Sequence, residues 1–235
     1  MGNITETVKH LIILNVILFV VPQFLNLDLT NILALHFPQN EHFGFWQYLT
    51  STFMHGSFGH ILFNMYGLYA FGTPLEQIWG KKKFFFFYFS TGIGASIIYT
   101  LVNYYQFNDA FEKLIELGAT KMEIMKLMDP TLIYNDEILQ TVNSLYNTSA
   151  LGASGAVYGV LVAFGLYFKE AKLAMIFFPI PIAAKYFIPI LLLGDLFFGM
   201  TRYSVGNIAH FAHVGGALVG FIIAWYWKKN QFKFS

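Results

Sequence analysis

Six apolar runs, each close to the length of a membrane-spanning helix, constrain the fold of this 235-residue chain more than any other feature. Crossing the hydrocarbon core of a bilayer takes about 20 helical residues, with about 17 to 25 the usual range. The runs cover residues 9–24, 56–78, 84–104, 152–168, 184–200 and 208–227. Because backbone groups in lipid must bond within their own segment, each run is predicted to be a helix. We therefore predict an all-α, polytopic membrane protein with a bundle of six transmembrane helices.

The composition agrees with a chain that lies in a lipid bilayer. Hydrophobic residues make up 56% of the chain, charged residues 11%, and the mean hydropathy is +0.54, unlike the values of soluble domains. The net charge of +1 gives no indication of a nucleic-acid partner. The chain has no cysteine, which excludes disulfides and thiolate metal sites, and no cofactor is predicted.

A polar segment, residues 105–147, separates the third run from the fourth. Between Asp109 and Glu137 it holds seven acidic residues and three lysines, so it is too polar to cross a bilayer. Thr120 and Glu123 have the spacing of a capping box, and a second short amphipathic helix is predicted at residues 138–145. We predict a helical insertion on the membrane surface, within a single domain that covers residues 1–235.

The lysines predict the orientation of the bundle. Those at positions 81–83, 169, 172, 228 and 229 fall on one side when the acidic insertion is placed on the other. The positive-inside rule then places both termini in the cytoplasm. With no targeting segment recognised, we expect a prokaryotic cytoplasmic membrane and a site that opens to its outer side. Turns or loops are predicted at residues 25–50, 179–181 and 202–206.

Two short stretches carry a possible nucleophile and its base. Residues 151–159 form a small-residue run that contains Ser154, and residues 212–216 contain His213. Serine is a weak nucleophile at neutral pH until a base removes its proton, and imidazole is the usual base. A serine at a helix start is more often a cap or a packing residue. An ionisable side chain within a membrane, however, is costly to place, so His213 favours a catalytic Ser-His pair.

Small residues also predict how these two helices meet. Gly155 with Gly159, and Gly216 with Gly220, have the G-x-x-x-G spacing that brings membrane helices into close contact. Tyr158 shares a helix face with Ser154 and can pack beneath the imidazole, although a buried aromatic residue is more often ordinary core. Ser154 does not belong to a G-x-S-x-G elbow, since position 156 is alanine and no strand precedes the serine.

A third stretch supplies hydrogen-bond donors. His60 and Asn64 lie four residues apart on one helical face, and His55 precedes them. Together with the Ser154 amide, His60 and Asn64 can donate to the oxyanion of a tetrahedral intermediate, and His55 is predicted to support them. Metal binding is the alternative, but two histidines and an asparagine lack the further ligand that catalytic zinc prefers.

Three further polar residues receive no catalytic role. Glu76 is predicted near the far end of its span, and Asp195 lies at an uncertain depth. His210 is interpreted as structural, although assistance from Asp195 or His210 is left open. A Ser154–His213 dyad is therefore the working model.

Three motifs in this order resemble those of rhomboid intramembrane serine proteases. They are HGSFGHILFN at residues 55–64, GASG at residues 152–155 and AHVG at residues 212–215, and the similarity extends over all six runs. The resemblance implies Ser154 as nucleophile, His213 as base, and His60, Asn64 and the Ser154 amide as oxyanion donors.

The family likeness also implies a substrate and some differences. It implies cleavage of a peptide bond in or near the transmembrane helix of single-span membrane proteins, after that helix unwinds locally, and a structural position for Glu76. The chain departs from the family pattern at Gln47, where many members have arginine, and in its long insertion.

Two other functions compete with proteolysis. Catalytically inactive relatives bind or escort membrane clients, and that class is expected to lack the serine or the histidine, both of which are present here. A transporter requires polar groups or broken helices along a path across the membrane, whereas the polar groups here gather toward one side. The sequence leaves the oligomeric state open.

Overall fold

The computed structural model describes residues 3–175, 178–201 and 209–230, which are mostly helical. The helices are α1 (Glu6–Phe24), α2 (Thr30–Leu33), α3 (Gln47–Thr50), α4 (Phe58–Gly67), α5 (Thr73–Trp79), α6 (Lys81–Glu116), α7 (Lys121–Lys126), α8 (Glu137–Asn147), α9 (Ser154–Tyr167), α10 (Ala184–Met200) and α11 (His210–Asn230). Two strands, β1 (Lys172–Met175) and β2 (Phe178–Ala183), pair in antiparallel fashion between α9 and α10.

The N-terminus of α1 is closed by a carboxylate from a distant part of the chain. Glu76 is buried and accepts hydrogen bonds from the backbone N–H groups of Thr7 (2.9 Å) and Val8 (3.0 Å). The Thr5 hydroxyl donates to the same carboxylate at 2.6 Å. The first N–H groups of a helix have no partner within it, and a negative charge there is favourable. Glu76 therefore fixes α1 against α5, which is a structural role.

The second apolar run forms one continuous helical segment. A π-helical turn at Leu68–Gly72 joins α4 to α5 without a break. Leu68 is fully buried there, and Gly72 lies against Phe84 and Val8. The wide turn thus packs among α1, α6 and α9.

The helix of the third apolar run, α6, is longer than the sequence pattern predicts. Its 36 residues span about 54 Å, whereas the hydrocarbon core is about 30 Å thick. Phe107, Ala110 and Leu114 continue one buried face beyond position 104, where the predicted span ends. The apolar spacing of these residues keeps the helix intact, so α6 extends into the polar insertion.

The insertion has a small core of its own. Phe107 and Leu114 of α6 are buried together with Ile124, Met128 and Val142. The predicted capping box at the start of α7 forms, with the Thr120 side chain and Glu123 bonding each other's backbone N–H groups. The Tyr146 hydroxyl donates to the Gln39 carbonyl at 3.0 Å, so the insertion is tied to the loop before α3. Its placement on a membrane surface stays a prediction.

Two glycine-lined helices cross at the centre of the bundle. A Cβ atom added at Gly216 would fall on the carbonyl oxygen of Gly155, and one added at Gly220 would lie 2.6 Å from the Cα atom of Gly159. The backbones of α9 and α11 are therefore in direct contact, as the G-x-x-x-G spacings predict. In lipid such contacts hold helices together through close van der Waals packing.

The lateral surface of the helix bundle is largely apolar. Large side chains on α1, α6, α10 and α11 are exposed, among them Ile17, Phe86, Leu193 and Phe221. Within the described parts of the chain, α1 and α6 are long and apolar enough to cross a membrane, and α9 is a shorter apolar helix. The all-α membrane bundle agrees with the predicted fold class, while the count of six spans stays a prediction.

Of the three connecting segments predicted from the sequence, one differs in the structure. Residues 179–181 lie in β2 of a hairpin, not in a turn. A two-stranded sheet leaves one side of each strand unpaired, so the prolines that suggested a turn fit an edge strand. The loop 25–50 is held by Gln47, whose buried amide accepts from the His36 N–H (3.1 Å) and donates to the His42 carbonyl (2.7 Å). The predicted loop 202–206 lies outside the described residues.

Candidate active site

Ser154 is the first residue of α9 and follows a backbone bend at Gly152. Gly152 has φ of 130°, a conformation that side chains other than glycine rarely adopt, and its N–H donates to the Ser51 carbonyl at 2.9 Å. A Cβ atom at this position would lie 2.7 Å from the His60 ring and 3.5 Å from Ser154 Oγ. Because glycine has no side chain, the space at this position stays open to the His60 ring and the Ser154 hydroxyl.

His213 lies in the first turn of α11, where Tyr158 fixes the plane of its ring. The two rings stack with centroids 4.2 Å apart and an interplanar angle of 10°. Tyr158 follows Ser154 by four residues, so it presents its ring one helical turn further along the same face of α9. The structure therefore places the stacked ring next to the serine-bearing turn.

The turns that carry Ser154 and His213 are in contact. A Cβ atom at Gly155, next to the serine, would lie 3.4 Å from the carbonyl oxygen of Ala212, next to the histidine. The described side chains of Ser154 and His213 make no direct hydrogen bond with each other, and His213 instead makes a polar contact through Nδ1. Catalytic hydrogen bonds are often long in ligand-free structures and tighten when substrate binds.

His60 of α4 lies beside the turn that carries the serine, and Asn64 follows it by one helical turn. His60 is at the Gly152 bend, and the Asn64 amide, 4% exposed, donates one of its two N–H groups to the His60 carbonyl at 3.0 Å. The His55 ring packs edge-on against the His60 ring at 5.0 Å. His55 therefore supports His60, and the second amide N–H of Asn64 is the one that an oxyanion would use.

An acidic residue of α10 also reaches the site. Asp195 Oδ1 lies 3.1 Å from His213 Nδ1 and 2.7 Å from His210 Nδ1, and the carboxylate is 8% exposed. From the sequence alone Asp195 received no catalytic role, because its depth in the fifth run was uncertain, although its assistance was left open. Its occurrence as the one acidic residue of an apolar run was the available signal, since an intramembrane carboxylate requires a partner.

Among the described residues, this carboxylate and its two histidines also form a set of potential metal ligands. Ligand atoms of Asp195, His210 and His213 lie within 4.8 Å of one another. The hydrogen bonds from the two imidazoles already account for the position of the carboxylate. The metal site considered from the sequence, at His55, His60 and Asn64, is a different group.

A small cavity opens beside the serine, between α6, α9 and α11. It is lined by Ser154 together with Ser51, Ser96, Gly152 and Ala212. Fold and site together define a helical membrane protein in which a serine-bearing turn contacts a histidine-bearing turn, with a second imidazole beside the serine. The chain belongs to the rhomboid family, because the model of the Rhomboid domain matches residues 42–230.

Curated relatives come from both organelles and bacteria. The chain is 27% identical to Rhomboid protein 1, mitochondrial, of Saccharomyces cerevisiae, over 76% of this chain and 41% of the relative. It is 31% identical to RHOMBOID-like protein 12, mitochondrial, of Arabidopsis thaliana, over 79% and 47%. Identity to Rhomboid protease AarA of Providencia stuartii is 25%, over 76% and 54%. The chain thus spans about half the length of these relatives.

These comparisons correct the predicted location. The mitochondrial relatives of yeast and plant point against a prokaryotic cytoplasmic membrane, and that prediction was wrong. It rested on the distribution of lysines around the spans and on the lack of a recognised targeting segment. A bias of that kind reports on which ends of the helices share a side, and it does not identify the membrane in which they lie.

Proposed function

We propose that this chain is an intramembrane serine endopeptidase in which Ser154 is the nucleophile and His213 the base. The observation that carries the proposal is the contact between Gly155 and Ala212, which brings the serine turn of α9 against the histidine turn of α11. Membership of a family that includes a protein named as a rhomboid protease supports it. The α4 donors, His60 and Asn64, complete the set of groups that acyl transfer requires.

In the proposed reaction, Ser154 Oγ attacks the carbonyl carbon of the scissile peptide while His213 Nε2 takes the hydroxyl proton. The oxyanion that forms accepts hydrogen bonds from the His60 ring, the Asn64 amide and the Ser154 backbone N–H. His213 then protonates the leaving amine, and the C–N bond breaks to give an acyl-enzyme. Water, deprotonated by His213, hydrolyses the ester and restores the serine.

The proposed substrates are single-span membrane proteins, cut in or near their transmembrane helix. A carbonyl within an intact helix accepts the hydrogen bond of the residue four positions later. The substrate helix must therefore unwind locally before its carbonyl can reach Ser154 and the oxyanion donors. Residues that disfavour helix, such as glycine and proline, are expected near the cleavage site.

Incubation of the purified protein with a panel of single-span membrane proteins tests the proposal. We expect cleavage by the wild-type protein, no cleavage by Ser154→Ala, and full cleavage by Ser144→Ala. Ser144 is an exposed serine of α8, so its replacement is a matched control. Cleavage by folded Ser154→Ala at the wild-type rate would contradict the proposal. Stable capture of panel members without cleavage by the wild-type protein would instead favour a client-binding function.

Chemical labelling tests the same pair without a substrate. A fluorophosphonate should label Ser154 in the wild-type protein and only weakly in His213→Ala. Because the two residues act as a unit, Ser154→Ala and His213→Ala should each remove nearly all proteolysis, and the double variant should be scarcely worse. Equal labelling of the wild-type and His213→Ala proteins would remove His213 as the base.

A further inference from the structure

Asp195 approaches His213 at Nδ1, the ring nitrogen that the proposed reaction does not use. The carboxylate lies on α10, the imidazole on α11 and the stacked Tyr158 ring on α9, so three helices fix one histidine. Asp195 Oδ1 is 3.1 Å from His213 Nδ1, which leaves Nε2 as the ring nitrogen for the serine. The Tyr158 ring restricts the plane of the imidazole, and the carboxylate restricts its rotation within that plane.

A carboxylate at this distance also selects the form of the neutral imidazole. An ionised carboxylate only accepts hydrogen bonds, so His213 must carry its proton on Nδ1. Nε2 then has a lone pair and can take the proton of a hydroxyl. With the proton on Nε2 instead, the same ring would be unable to act as a base toward the serine.

We propose that Asp195 is a positioning residue that makes the site a Ser154–His213–Asp195 triad. This inference rests on the proposed function and assigns the residue that orients its base. Asp195 also stabilises the imidazolium that forms when His213 takes the serine proton, as in the triads of soluble proteases. The carboxylate does not itself take up the proton.

His210 stabilises the carboxylate from a second direction. Its Nδ1 lies 2.7 Å from the same oxygen, Oδ1, on a ring that makes an edge-on contact with the His213 ring. A buried ionised carboxylate is costly unless hydrogen-bonded, and two imidazole donors offset that cost. The hydrogen bond of His210 thus goes to Asp195 and holds the carboxylate beside His213.

Asp195→Asn separates a positioning role from a purely structural one. In soluble triad proteases the same change lowers kcat about 10⁴-fold, because the amide N–H favours the wrong form of the histidine. Here the Tyr158 stack still holds the ring plane, so we expect kcat to fall about 10²- to 10⁴-fold with KM nearly unchanged. His210→Gln, which keeps Asp195 beside His213, should lower kcat by less than about tenfold.

Nitrogen NMR shows directly which ring nitrogen of His213 carries the proton. In ¹⁵N-histidine-labelled Ser154→Ala protein, the His213 signals should show the proton on Nδ1, and a further Asp195→Asn change should move it to Nε2. Equal kcat losses in Asp195→Asn and His210→Gln, with matching losses of thermal stability, would show that Asp195 only holds the fold and would overturn the proposal.

The outcomes separate this inference from the proposed function. If Ser154→Ala abolishes cleavage but Asp195→Asn cleaves at the wild-type rate, the serine protease stands and the triad is wrong. If activity is lost to a chelator and restored by Zn²⁺, Asp195, His210 and His213 form a metal site and the positioning role is also wrong. Wild-type activity that a chelator leaves unchanged supports the triad.

Discussion

Gly152→Ala perturbs the site at one atom whose neighbours are known. The added Cβ would lie 2.7 Å from the His60 ring, whereas ordinary Cβ contacts begin at 3.4 Å. The ring must therefore move by about 0.7 Å, and a displacement of about 1 Å in an active site can lower the rate about 10²-fold. We expect kcat to fall about 10- to 100-fold, which corresponds to about 1.4 to 2.7 kcal/mol in the barrier.

The same substitution also strains the backbone, and that effect needs its own control. Alanine at a φ of 130° should lower the free energy of unfolding by about 1 to 2 kcal/mol. Gly118 and Gly80 have φ of 97° and 78°, with no atom within 4 Å of an added Cβ. Gly118→Ala and Gly80→Ala should therefore be destabilised to a similar extent but cleave at the wild-type rate.

The assay measures kcat and KM on a cleaved single-span substrate, together with the thermal unfolding midpoint in detergent. For Gly152→Ala we expect a lower kcat, an almost unchanged KM, and a midpoint close to those of Gly118→Ala and Gly80→Ala. If Gly152→Ala retained the kcat of the two control variants, the His60 ring would not donate to the oxyanion from its observed position. The displacement argument would then be refuted.

Four further predictions concern packing, orientation and pH. Gly216→Ala should separate α9 from α11 and lower both the unfolding midpoint and kcat, whereas Gly194→Ala, with no atom within 4 Å of its Cβ, should leave the midpoint unchanged. Tyr158→Phe should retain most of kcat because the stack with His213 remains, and Tyr158→Leu should lose about tenfold or more, measured on the same substrate. Glu76→Ala should destabilise the bundle by about 2 to 5 kcal/mol in a denaturant titration, because two backbone N–H groups of α1 lose their acceptor. Burial lowers the pKa of His36 below 6.5, so its contribution to stability is present above that pH and is lost as the pH falls; the midpoint should decrease less on acidification in His36→Asn than in the wild type.

The sequence predicted those parts of the fold that depend on local spacing. Apolar length placed α10 at residues 184–200, and the glycine spacing predicted the contact between α9 and α11. The Thr120 capping box could be predicted because it involves four neighbouring residues. By contrast, the β-hairpin escaped prediction because prolines indicate a turn until the pairing partner of their strand is known.

The residues of the candidate site likewise divide into those that a local sequence pattern predicts and those that it does not. Ser154, His213 and the α4 donors could be named because each lies in a recognisable local pattern. Asp195 has no such pattern around it, and its partners on α11 lie 15 and 18 residues away. Only the packing angle of α10 against α11 determines which side chains its carboxylate meets, and spacing along one helix does not encode that angle.

The carboxylate that closes the start of α1 sets an order of events during biosynthesis. Glu76 follows Thr5 by 71 residues, which a ribosome takes about 4 to 14 s to add at about 5 to 20 residues per second. Throughout that interval the N–H groups at the start of α1 need other acceptors, such as water. The hydrogen bonds that close the start of α1 can thus form only after the second helical run, which carries Glu76, has been synthesised.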